Sequence, residues 1–138
     1  MGNTIDMQDL RHLSLFRKIT HISTQFCFHY NDTIFFCVPR ALVSRAVGEN
    51  GMNVRRMYEI LRKRVKIVAG PRGIEDAELF IKAIVSPVTF KNLEIREDEI
   101  ILTAGSQSKA SLLGRNKRRL LEMQKIVKGF FGKEYRIV

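Results

Sequence analysis

Cysteine is scarce, long apolar runs are missing, and acidic residues are outnumbered. Two cysteines in 138 residues cannot build the disulfide framework of a small secreted domain. The longest apolar stretches, 33–38 and 100–104, fall far short of the roughly 20 residues a helix needs to cross a bilayer. No membrane partner is therefore expected. Residues 1–10 carry Asp6 and Asp9 and lack a basic segment followed by an apolar one, so no secretory signal is read and a cytoplasmic location is expected. The P-loop, the HExxH zinc-protease motif and the GxSxG nucleophile elbow are all absent, which leaves nucleotide hydrolysis, zinc proteolysis and serine hydrolysis without their machinery. The carboxylates that could pair for acid-base work, Glu94, Glu97, Asp98 and Glu99, crowd one turn and read as solvated. The expectation is a non-enzyme with no catalytic residue, no cofactor and no small-molecule substrate.

The remaining chemistry-bearing side chains give little more. If residues 31–33 form a three-residue hairpin loop, Cys27 pairs with Cys37 and both share a sheet face with His29. That register brings the sulfurs within disulfide reach, but reduced thiols are expected in a cytosol. A Cys27/His29/Cys37 metal set lacks a fourth ligand, so no metal site is expected. His12 and His21 have no cysteine or carboxylate partner at catalytic spacing and read as surface or cap residues. Phe26, Phe28, Phe36 and Phe90 alternate in predicted strands and read as core rather than as platforms for bases. Phe130 and Phe131 are read the same way.

What the chain has is basic charge, 24 Lys and Arg against 14 Asp and Glu for a net of +10. Its distribution matters more than its total. Residues 40–66 hold eight basic and two acidic side chains, residues 109–128 hold seven and one, and the other 91 residues together carry −2. An anionic partner is implied, and nucleic acid is the commonest. A basic run is usually just a solvated face, but here it occurs twice at matching places in a repeat.

The repeat is legible directly. Gly48-Glu49-Asn50-Gly51 recurs 66 residues later as Gly114-Arg115-Asn116-Lys117, and Val54, Met57, Ile60 and Leu61 match Leu120, Met123, Ile126 and Val127 at the same offset. Spacings of three, six and seven put each set on one helical face. A strand signal closes each copy, at 65–68 and at 135–138, where the offset has grown to 70, so the second helix or its exit loop is four residues longer. Upstream, 6–19 and 75–84 read as amphipathic helices. The runs 25–30 and 33–38 flank Asn31-Asp32, and 88–96 and 99–103 flank Glu97-Asp98, as hairpins. The turn-rich joint Gly70-Pro71-Arg72-Gly73 is too short to be a free linker. Two domains, 1–70 and 74–138, are predicted in an α+β class with element order αββααβ. Halves of this size are marginal alone, so the two are expected to pack together.

A glycine loop opening a helix lets backbone approach a phosphate, and the helix N-terminus favours an anion there. Glu49 places a negative charge in the first loop, while Lys117 removes one glycine from the second and adds a cation.

Placed between two helices in this element order, the loop resembles the GxxG loop of a type II KH domain. Two such units in tandem, spanning nearly the whole chain, resemble the archaeal NusA-like transcription factors. The resemblance implies small three-stranded sheets covered by helices, single-stranded RNA as partner, and a role in transcription elongation or termination beside RNA polymerase. It further implies that a GxxG loop clamps about four nucleotides while an apolar groove takes the bases. The RNA-binding residues expected on this basis are Arg45, Gly48, Glu49, Asn50, Gly51, Asn53, Arg55 and Arg56 in the first unit. In the second they are Gly114, Arg115, Asn116, Lys117 and Arg118. A ribosome-associated protein using the same fold, and a module docking its basic faces on an acidic protein, are the competing readings.

Overall fold

The computed structural model describes residues 7–138. The start of the predicted first helix at Asp6, and the rest of residues 1–6 of the first predicted domain, lie outside the described residues. The described chain is α+β and divides into two compact units, 7–70 and 71–138.

In the first unit the order is α1 (Met7–Thr20), β1 (Cys27–Tyr30), β2 (Thr33–Val38), α2 (Val43–Val47), α3 (Met52–Leu61) and β3 (Arg64–Ala69). β1 and β2 form an antiparallel hairpin, and β3 adds parallel to β2, so β2 is central. A parallel neighbour cannot be reached by a tight turn, and the α2–α3 pair is the crossover. Ile34 and Phe36 share a face with Val65 and Ile67 across the β2–β3 ladder. There they meet Phe16, Ile19 and Ile22 with Ala46 and Met57. Phe16 stacks on Phe36 at 4.5 Å between ring centroids. The end of α1 is closed from within, because the Thr20 hydroxyl donates to Phe16 O at 2.8 Å and accepts the Ile22 N–H at 3.1 Å.

The hairpin turn differs from expectation. Asn31 and Asp32 both have positive φ, 51° and 56°, and Tyr30 pairs directly with Thr33. The turn is therefore the two-residue type that matches strand twist, and Cys27 pairs with Phe36 rather than with Cys37. Alternate side chains point to opposite faces of a strand, so the one-residue change moves Cys37 to the other face from Cys27. Both cysteines are free, and the Cys27/His29/Cys37 ligand set does not form. Burial, with Cys27 a second contributor, pushes the Cys37 thiol up to about 12. Thiolate is the reactive form, so near neutral pH iodoacetamide should label half-buried Cys27 well before Cys37 in chelator-containing buffer. Peptide mass spectrometry of a labelling time course reads this, and equal rates would contradict the register.

The second unit repeats the plan with α4 (Ala77–Val85), β4 (Asn92–Ile95), β5 (Glu99–Thr103), α5 (Ser106–Leu113), α6 (Arg118–Phe131) and β6 (Glu134–Ile137). β5 is central, antiparallel to β4 and parallel to β6. Phe80, Ile81, Ile84, Ile100, Leu102, Leu112, Met123, Val127 and Tyr135 are buried. The four-residue difference between copies lies in the helix: α3 has 10 residues and α6 has 14. Each ends on a left-handed residue, Arg62 and Gly132. The added turn of α6 sets Phe130 and Phe131 against Phe80, at 4.9 and 6.1 Å between centroids. Helix α3 stops at Leu61, so Ile60 lies in its last turn and is 58% exposed, whereas Ile126 is buried. That pair of the repeat matches in position but not in environment. Phe26 likewise lies outside β1 and is exposed, against its reading as core. No described helix is long and apolar enough to cross a membrane.

Candidate nucleic-acid interface

Each unit carries one sharp junction between two helices, and the two junctions have the same backbone conformation residue by residue. Helix α2 ends at Val47, and Gly48 (φ 86°, ψ 163°) reverses the chain while its N–H still donates to Ser44 O at 3.1 Å. Residues Glu49–Gly51 make one 3-10 turn with Asn50 left-handed at φ 55°, ψ 28°, and Gly51 left-handed at φ 73°, ψ 21°, before α3 begins. In the second unit Gly114 (φ 75°, ψ 170°) donates to Ala110 O at 3.0 Å. Asn116 (φ 56°, ψ 28°) and Lys117 (φ 59°, ψ 26°) follow before α6. Asparagine tolerates the left-handed region better than most residues, which accounts for Asn50 and Asn116. Lys117 occupies the conformation that Gly51 fills in the other copy, so losing that glycine leaves the loop's shape unchanged.

Two side chains hold these junctions from beneath. Asn53 Nδ2 donates to Ala46 O at 3.1 Å, and Arg119 Nη1 donates to Ser111 O at 3.0 Å. Both satisfy a carbonyl near the end of the preceding helix. Both also lie where a Cβ on the glycine would go: a Cβ at Gly48 would meet Asn53 at 3.0 Å, and one at Gly114 would meet Arg119 Cγ at 2.8 Å. Asn53 was expected among the RNA contacts, yet its amide is committed to bracing. Arg119 was counted only as charge. The signal that could have found the pair is the offset of 66, which aligns them.

The rest of the predicted set gathers around the two junctions. Arg45, Glu49, Asn50, Arg55 and Arg56 are exposed at the first, and Arg115, Asn116, Lys117 and Arg118 at the second; Gly48, Gly51 and Gly114 are half-buried. Arg55 Nη1 donates to Asn50 O at 2.6 Å, which draws its guanidinium back to the loop. Arg118 Nε lies 4.0 Å from Glu122 Oε2 one turn along α6, a loose pair. The N-termini of α3 and α6 have no side-chain cap. Uncapped first-turn N–H groups with arginines around them attract anions. The first junction carries Glu49 among its cations, and the second has no acidic residue within the loop itself. The arrangement offers non-covalent anion binding at two like-shaped places.

No protein-family model matches the chain. It is 33% identical over 98 residues to the probable transcription termination protein NusA of Halococcus morrhuae, a match covering 71% of this chain and 68% of that protein. A protein of the same name from Methanococcus vannielii is 24% identical over 93 residues, 67% of this chain and 52% of the relative. The crystal structure of APE1850 shares the fold, with a TM-score of 0.67 at 23% identity over 97% of this chain and 99% of that one.

Proposed function

Since the chain belongs to the archaeal NusA-like family, we propose that it is a non-enzymatic factor of transcription termination and elongation that binds single-stranded RNA and acts beside RNA polymerase. Each unit, with its αββααβ order and mixed three-stranded sheet, serves as a type II KH domain. The observation that carries this reading is the duplicated junction, two loops of one conformation each set in a basic window. In this mechanism phosphates settle against the loop backbone and the starts of α3 and α6, and Arg45, Arg55, Arg56, Arg115, Lys117 and Arg118 supply charge. Such contacts position the strand without reading it. Sequence discrimination then belongs to apolar surface beside the loops, and at the first of them exposed Met52 opens α3. Because the two units are covalently joined, engagement of one raises the effective concentration of the other.

Fluorescence anisotropy of a labelled single-stranded RNA, titrated at several salt concentrations, tests the binding. Neutralising four to six phosphates gives a slope of log affinity against log salt of about −3 to −4, from about 0.7 per phosphate on single strands. A flat response would overturn the proposal. Affinity purification from an archaeal lysate tests the transcription role: RNA polymerase should accompany the protein, and cosedimentation with ribosomal particles instead would assign the same loops to the ribosome.

A further inference from the structure

Far from the two junctions in sequence, α1 and β1 bring together side chains that neither loop uses. Asp9 and His12 are three residues apart on α1 and so share a helical face. Cys27 and His29, two apart on β1, share a strand face. Cys27 Sγ lies 3.7 Å from Asp9 Oδ1, and one ligating atom each from Asp9, His12 and Cys27 falls within 4.8 Å of the other two. His12, expected at the surface, is 5% exposed, and its ring centroid is 5.7 Å from that of His29.

We infer that Asp9, His12 and Cys27, with His29 at the fourth corner, form a binding site for a divalent metal ion of the zinc type. The donor set is one thiolate, imidazole nitrogen and one carboxylate oxygen, the mixture a borderline-soft ion prefers. The distances fit such an ion. With metal–sulfur at about 2.3 Å and metal–oxygen at about 2.1 Å, a tetrahedral site separates sulfur from oxygen by about 3.6 Å, close to the 3.7 Å found. Two imidazoles on one zinc have their ring centres about 5 Å apart, near the 5.7 Å that separates His12 and His29. A nucleophilic reading of the same Cys, His and Asp fits less well. In a catalytic triad the carboxylate orients the imidazole, whereas here Asp9 Oδ1 accepts a hydrogen bond from the Cys27 thiol itself. A divalent cation would take the place of that thiol proton between sulfur and carboxylate. Binding would pin α1 to the edge strand β1 and leave both loops untouched, so the site is structural.

The full chain, prepared without a histidine tag and stripped with chelator, is titrated with cobalt(II) as an optical stand-in for zinc. One equivalent should produce a thiolate-to-cobalt charge-transfer band and the strong visible absorption of a four-coordinate site, and zinc should abolish both. Cys27→Ser should lose the charge-transfer band and Cys37→Ala should keep it. Asp9→Asn changes a half-buried side chain and leaves the core intact, and it should weaken cobalt at least about tenfold. Circular dichroism confirms folding of each variant before titration. No charge-transfer band in the wild-type chain, a band that survives Cys27→Ser, or an unchanged affinity in Asp9→Asn would each overturn the site.

Discussion

Reversing the charge of Arg115, Lys117 and Arg118 to Glu together should lower affinity for single-stranded RNA by at least about 100-fold at physiological salt while leaving circular dichroism unchanged. All three side chains are exposed, and Arg118 pairs with Glu122 across 4.0 Å. Exposed pairs of this kind are worth less than about 1 kcal/mol, so losing it does little to the fold. Hydrogen bonds from a charged donor to phosphate are worth about 1.5–3 kcal/mol each, and two engaged cations already account for the expected loss. The same variant should flatten the salt slope by about 2, three phosphates at about 0.7 each. The parallel change at Arg45 and Arg56 should act in the same direction and cost less, since Glu49 already offsets part of the first loop's charge. Anisotropy titrations of both variants measure this. An affinity within threefold of wild type in the second-loop variant would remove that loop from the interface, and loss of protein docking with RNA affinity intact would favour an acidic protein as the partner.

Replacing Gly114 by Ala should destabilise the second unit by about 2–4 kcal/mol, and Gly48→Ala should do the same to the first. Gly48 and Gly114 combine φ of 86° and 75° with ψ of 163° and 170°. That region is essentially closed to residues with a Cβ and costs about 1–3 kcal/mol to occupy. Steric crowding adds to it. The new Cβ of Gly114→Ala would sit 3.0 Å from the backbone nitrogen of Arg119, and that of Gly48→Ala 3.0 Å from the backbone nitrogen of Asn53. Backbone at the start of a helix cannot move aside as a side-chain tip can. Lys117 gives the internal contrast. It is left-handed without being glycine, a state that costs an L-residue about 1–2 kcal/mol. Lys117→Gly should therefore stabilise by up to about 1 kcal/mol, the larger backbone entropy of glycine offsetting part of the relief. Denaturant titration followed by circular dichroism reads all three. A loss below about 1 kcal/mol in Gly114→Ala would mean the junction relaxes more easily than its geometry implies.

Much of the architecture could be read from local pattern. The repeat, the two hairpins, both junctions and the closing strands rest on periodicity and turn residues within windows of a few residues, and those signals survive in the folded chain. The junctions were found because Gly48 and Gly114 stand at the same place in two copies, each followed by Asn two residues later. What failed did so at single-residue resolution. Asn31-Asp32 announced a turn, but two residues or three in the loop decides whether Cys27 faces Cys37, and the hairpin chemistry alone did not choose. Ile60 and Ile126 occupy equal positions in the repeat, yet only the longer helix buries its copy.

The sequence by itself determined the duplicated αββααβ order, the placing of charge at the two loops and the glycine that opens each of them. These follow from spacing, turn chemistry and side-chain charge, which act over a few residues. Tertiary structure alone decided three further matters: the faces on which the two cysteines lie, the commitment of Asn53 and Arg119 to bracing, and the meeting of Asp9, His12 and Cys27. Each depends on strand register or on where a helix settles against a strand, and a shift of one residue or a few ångströms changes the answer without altering any local pattern.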